Sequence, residues 1–152
     1  MRETRSRSRS AARLAAVQAL YQQEMEGTPL PRLLKEFHDH RLGATIEDQT
    51  YHRAERDFFD DVVTGADARR EELDAMISQR LADGWSLERL DRPMRAILRA
   101  GAYELIARPD VPVGSVISEY VDVAHAFYDK RESGFVNGLL DAIAKEARPA
   151  PA

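Results

Sequence analysis

At 152 residues, 43% apolar and 32% charged, the chain suits one domain or two small subdomains sharing a core, long enough to bury a sizeable interior. With no cysteine and no run near the roughly 20 apolar residues a bilayer demands, it has no disulfide framework, thiolate metal site, thiol nucleophile or membrane span, and a cytoplasmic home is expected. The net charge of −4 divides unevenly: Arg2, Arg5, Arg7, Arg9 and Arg13 against Glu3 give residues 1–13 a net of +4, leaving −8 for the acidic remainder, so a polyanion is held locally or not at all.

Met1 to Ser10 alternates Arg and Ser without apolar periodicity, which predicts a flexible Arg-rich arm over residues 1–10. A solubilising tail and a phosphate-binding arm fit it equally. An all-helical domain follows over residues 11–147. Leu14, Val17, Leu20 and Tyr21, set among alanines, predict a first helix closed by Gly27, Pro29 and Pro31. A short second helix, about Pro31 to His38, turns Leu33, Leu34 and Phe37 inward, and residues 39–50 read as a loop.

From Tyr51 to Ala82 there is no proline, and the apolar period predicts one long helix as a spine shared by two bundles; a break at Gly65 is the alternative. Small residues at Gly65, Ala66 and Ala68 would admit a crossing helix. Gly84 stops the spine, Ser86 caps a short turn through Leu87 and Leu90, and Asp91 with Pro93 opens the next helix.

Three amphipathic stripes come next. They are Met94, Ile97, Leu98, Gly101, Leu105; Val113, Val116, Ile117, Tyr120, Val121, Ala124, Phe127; and Phe135, Val136, Leu139, Leu140, Ile143. Breakers at Pro109, Pro112 and Gly134 separate them, which predicts a three-helix bundle. Gly134-x-x-x-Gly138 reads as a close-packing face, and residues 148–152 as a frayed tail.

Nothing in the sequence supports catalysis or a cofactor. The phosphate-loop and zinc-hydrolase signatures are absent. Asp122 and His125 make one imperfect half of a di-iron motif, and Asp57, Asp60 and Asp61 read as solvated carboxylates beside Phe58 and Phe59.

Several strings together resemble the NusB family of bacterial transcription antitermination factors over essentially the whole chain. They are Ala16-Val-Gln-Ala-Leu-Tyr21, Trp85-x-Leu-x-Arg-Leu90, Leu98-Arg-x-x-x-Tyr-Glu-Leu105, Asp110-Val-Pro112, Ile117-x-Glu119 and Phe135-Val-Asn-Gly-x-Leu-Asp141. Two departures stand out: Ser118 where the family usually has Asn, and Gly134 where Lys is frequent and a phosphate contact is lost.

The resemblance implies an all-α fold of about seven helices in two small bundles around a long central helix. It implies a factor, not an enzyme, that binds the single-stranded boxA element of ribosomal RNA leader transcripts with NusE, a small ribosomal protein, and joins the RNA polymerase elongation complex. Arg5, Arg7, Arg9 and Arg13 would then neutralise phosphates, Tyr21 and Phe135 offer flat faces to unstacked bases, and Asn137 bond a base edge. Core packing is the alternative for the last three. A basic partner would meet the acidic fourth to sixth helices, with Glu88, Asp91, Glu104 and Glu119 as candidates. The family also allows a homodimer. A helical adaptor without sequence-specific RNA binding is the rival reading. RNA cytosine methyltransferases carry a similar helical domain, but no nucleotide-binding unit follows it here.

Overall fold

A computed structural model of the chain describes residues 2–42 and 49–148, with side chains at 7–42 and 55–148. Among the described residues there are seven α-helices and no strand: α1 (Arg2–Glu26), α2 (Leu30–His40), α3 (Gln49–Ala68), α4 (Arg70–Ser78), α5 (Arg92–Ala107), α6 (Val113–His125) and α7 (Lys130–Ala147), with a 3-10 turn at Leu87–Arg89 before α5. The first three helices pack on one another and α4 to α7 form a second bundle. This is the expected all-α, two-bundle architecture.

At the centre lies α5. Met94 and every residue from Ala96 to Leu105 are buried, so the helix has almost no solvent face. It meets α1 and α3 on one side and α4, α6 and α7 on the other. Fully burying a side chain such as Ile97 or Leu98 stabilises by about 1.5–3 kcal/mol, and α5 collects that gain from both bundles. Gly101 makes this possible, since a Cβ there would lie 2.9 Å from Leu140 Cδ1. Gly65 in α3 does the same for the Tyr103 ring, as the small residues of that stretch suggested.

Chain punctuation follows the sequence closely. Gly27 and Gly84 adopt φ of 69° and 87°, the left-handed conformation that closes α1 and the Trp85 turn. Asp91 caps α5 by accepting from the Met94 backbone N–H at 3.1 Å, and Pro93 sits in the first turn. Ser86 occupies the cap of the 3-10 turn without a side-chain bond.

Three expectations are corrected. The spine over Tyr51–Ala82 is two helices, because ψ at Arg69 opens to 21° between α3 and α4. The apolar period crosses this break in phase, from Val62 and Ala66 to Leu73 and Ile77, so periodicity carries no trace of it. The long element shared by both bundles is α1 instead: at 25 residues it spans about 37 Å and touches α2, α3, α5 and α6. Residues 2–10, expected as a flexible arm, continue α1 as helix. Ser8 is buried and Ser10 bonds to α6, so these turns extend an established helix at little nucleation cost.

Third, Arg148, expected in the frayed tail, is anchored. Its guanidinium donates to the carbonyls of Leu105 at 2.8 Å and Glu104 at 3.0 Å, and to those of Arg108 and Val111. The carbonyls of Glu104 and Arg108 also accept from the backbone N–H groups of Arg108 and Val111, so the cation's particular contribution at the end of α5 is to the Leu105 carbonyl, whose i+4 residue is Pro109. Residues 149–152 and 43–48 lie outside the described residues, and the expected loop over 39–50 is narrower than its bounds, since 39–40 end α2 and 49–50 begin α3.

Candidate nucleic-acid interface

The arginines at the start of α1 divide by what surrounds them. Arg7 is exposed, while the Arg5 side chain lies outside those described. Arg9 is half-buried, with its guanidinium 4.9 Å from the centre of the Phe58 ring and 3.8 Å from the Asp110 carboxylate. Arg13, expected to face phosphates, is instead 3% exposed. It makes a bidentate pair with Glu104, at 2.9 and 3.0 Å, and its Nη1 lies 3.2 Å from Glu119. A guanidinium so enclosed cannot reach RNA. Burial works against its charge, but the bonds to Glu104 and the nearby carboxylates outweigh it and raise the Arg13 pKa.

Glu104 is correspondingly unable to meet a partner, being fully buried with Tyr120 O–H as a further donor. Burial first, and then the Glu104 charge, push the Tyr120 hydroxyl well above the ordinary phenol value, so it remains a donor. Helix spacing predicts a buried face for Leu98, Gly101 and Leu105, and Glu104 lies within it. Its partner, Arg13, stands 91 residues away, so sequence spacing gives no sign of the pair. Both oxygens of Glu119 accept from Ser10 Oγ, at 2.8 and 2.9 Å.

Two grooves flank α7. One, of about 600 Å³, is floored by Leu90, Met94, Tyr128 and Phe135 and overhung by Trp85, with Arg89, Asp91 and Arg131 at the rim. Trp85 is 57% exposed, a large apolar surface for a side chain with nothing over it. The other groove, about 620 Å³, runs between α6 and α7 past Gly114, Ser118, His125, Lys130, Gly134 and Asn137. His125 Nδ1 is held by Ser133 Oγ at 3.1 Å. Phe135 and Asn137 are two residues apart, about 200° around the helix, so each lines a different groove and they cannot share one base. Gly134 and Gly138 meet nothing within 4 Å, so the close-packing reading of that pair gives way to a small-residue floor open to solvent.

Tyr21 is partly buried against the core, one turn before Met25, whose Sδ lies 2.9 Å from Arg92 Nη1 at the start of α5. Of the four acidic candidates, Glu88 and Asp91 are exposed beside the Trp85 groove, although Asp91 also serves as the α5 cap and accepts from Tyr128 O–H. Reasoning from sequence left Trp85, Arg89, Tyr128 and Arg131 out of the site. The lone tryptophan just after a stop glycine was the available signal.

The acidic cluster on α3 is engaged internally. Asp60 lies 2.5 Å from His38 Nε2, and Asp61 accepts from Tyr103 O–H at 2.7 Å and Arg108 at 2.9 Å. Burial and the Asp61 bond push the Tyr103 hydroxyl up to about 12. Among the described residues no group of three or more His, Asp or Glu side chains could hold a metal ion, and no helix is long and apolar enough to cross a membrane.

The NusB family model matches residues 10–145. The transcription antitermination protein NusB of Sphingopyxis alaskensis is 68% identical over 144 residues, covering 95% of this chain and 97% of that protein. Its counterpart from Novosphingobium aromaticivorans is 66% identical over 148 residues, 97% of this chain and 100% of that one. Among solved structures, Thermotoga maritima NusB superposes with a TM-score of 0.76 at 33% identity, covering 93% of each chain. A NusB solved with NusE and double-stranded RNA superposes with a TM-score of 0.73 at 30% identity, over 92% of this chain and 98% of that one. With a family model that spans residues 10–145 and relatives 66% and 68% identical over nearly the whole chain, the chain belongs to the NusB family of transcription antitermination factors, a non-enzymatic family.

Proposed function

We propose that this chain binds the boxA element of nascent ribosomal RNA leader transcripts together with NusE in the cytoplasm, and that the complex acts on the RNA polymerase elongation complex to keep elongation processive. The carrying observation is the pair of grooves on either side of α7, one lined by the aromatic rings of Trp85, Tyr128 and Phe135, the other by Ser118, His125, Lys130 and Asn137 set among Ile117, Val121 and glycine. A protein partner suits the first, where Trp85 is exposed and the rim carries both signs of charge, Glu88 and Asp91 beside Arg89 and Arg131. The second suits a phosphodiester strand: Lys130 supplies charge, Asn137 and Ser118 supply base-edge partners, and Gly114 and Gly134 admit the backbone. Arg7, exposed on α1 one turn before the Ser10 contact with α6, adds positive charge beside that face, and Arg5 is assigned to it from the sequence alone. Phe135 and Tyr21 belong with the aromatic side, where a base or a partner side chain can stack.

The test is fluorescence anisotropy of a labelled boxA-like RNA, beside a shuffled single strand and a duplex of equal composition, over a salt series with and without NusE. Preference for the boxA-like strand, strengthened by NusE, is expected. Arg7→Ala should make the slope of log affinity against log salt shallower by about 0.7. Glu88→Lys with Trp85→Ala should weaken NusE capture while leaving weak RNA binding intact. Equal, weak binding to all three RNAs with no response to NusE would leave a helical adaptor. A homodimer closed over the Trp85 groove would show as a concentration-dependent mass that Trp85→Ala abolishes.

A further inference from the structure

We propose that Glu119 is a positioning residue for RNA, latching the first turns of α1 onto α6 so that Arg7 is displayed at a fixed place; this rests on the RNA-binding reading above. The latch has three parts. Ser10 Oγ donates to both Glu119 oxygens at 2.8 and 2.9 Å, Arg13 Nη1 lies 3.2 Å from the same carboxylate, and Arg13 is itself fixed by its bidentate bonds to buried Glu104. One carboxylate therefore ties the N-terminal part of α1 to the deepest ion pair of the molecule. Arg7 sits one turn before Ser10 and only about 60° around the helix from it, so the Ser10 contact sets where Arg7 points.

Charge gives the arrangement its purpose. Glu119 is half-buried one residue from Ser118, which lines the α6/α7 groove, and an unneutralised carboxylate there would repel phosphates. Arg13, whose charge is shared with Glu104, offsets part of that charge from inside, and the single Ser10 O–H is divided between the two Glu119 oxygens. The arginines of α1 thus play different parts, since Arg13 bridges Glu104 and Glu119, Arg9 lies against Phe58 and Asp110, and Arg7 faces solvent. A frayed start to α1 would keep its charge but lose the fixed spacing between Arg7 and the groove. Specific binding would suffer and non-specific binding would not.

Ser10→Ala and Ser10→Thr in the full chain test this with two readouts. In Ser10→Ala, amide hydrogen exchange over residues 5–9 is expected to quicken about two- to tenfold, the effect of losing one ordinary, part-exposed hydrogen bond, while α5 exchange is unchanged. Affinity for the boxA-like RNA should fall by a similar factor and affinity for the shuffled strand should not, with Ser10→Thr restoring both properties. Unchanged exchange in Ser10→Ala would overturn the latch whatever the RNA data. Equal losses for both RNAs, or failure of threonine to rescue, would reduce the contact to general stability. A wild-type protein with no preference for the boxA-like strand would instead sink the RNA reading, and the positioning role with it, even if exchange quickened.

Discussion

At one end of the α1–α5 contact the first helix supplies the guanidinium and the fifth the carboxylate, Arg13 to Glu104; at the other end the first helix supplies Glu24 and the fifth Arg95 and Arg99. The ends differ in dryness as well as polarity. Arg13 and Glu104 are 3% and 0% exposed, whereas Glu24 keeps 15% of its side chain in solvent and shares its partners with Asp74, which Arg99 holds at 2.7 Å. Running α1 the other way would set Arg13 against Arg95 and Arg99, and Glu24 against Glu104. The two ion pairs therefore specify antiparallel packing by penalising the reverse, a role that net stabilisation alone would not give a buried pair.

Glu104→Ala should produce the largest loss, about 3–5 kcal/mol in urea unfolding, because it leaves buried Arg13 with only the single Glu119 contact and takes the acceptor from the Tyr120 hydroxyl. A loss below about 1 kcal/mol would mean that the dry end is not dry. The double change of Arg13→Met with Glu104→Leu should recover most of that stability while weakening the preference for one helix direction. At the wetter end Arg99→Ala should cost less, about 1–3 kcal/mol, since Glu24 keeps Arg95 and Asp74 keeps Arg70. A larger effect there than at Glu104 would reverse the comparison.

The smallest effect belongs to the surface link beyond the dry end. Bonds from Arg108 hold the Asp110 carboxyl at about 2, below its ordinary 3.8, so its contribution is present above the ordinary value and lost as pH falls through the lowered one. Being half-exposed, it is worth under about 1 kcal/mol. The stability gap between wild type and Asp110→Asn should be flat from about pH 7 to 5 and narrow towards pH 3. A gap that widened on acidification would rule the pairing out.

Much of this architecture is legible locally. The stripe from Met94 to Leu105, the Asp91 cap and the Gly27 and Gly84 stops are each set by neighbours within a few residues, and all stand where the spacing put them. What escaped was non-local. The spacing of α5 puts Glu104 on its buried face, but nothing local shows that Arg13 answers its charge, and only the fold brings them together across 91 residues. The break at Arg69 is invisible because the apolar phase continues through it. Of the binding surface, the composition of the Arg7 end was readable, whereas the separation of Phe135 from Asn137 and the groove beneath Trp85 depend on how α7 is rotated against α5 and α6.

The Arg148 anchor has a consequence for the order in which the molecule is made. The carbonyl of Leu105 receives its donor from a residue 43 positions later in the chain. At about 5–20 residues per second, a ribosome needs roughly 2–9 seconds to supply it, so the Leu105 carbonyl waits that long for its donor. Until then the C-terminal end of α5 lacks the link that ties it to the end of α7. Completion of the second bundle is thereby timed to the end of α7, and a nascent chain paused before Arg148 should remain sensitive to protease near Ala107 after α1 and α3 have become resistant.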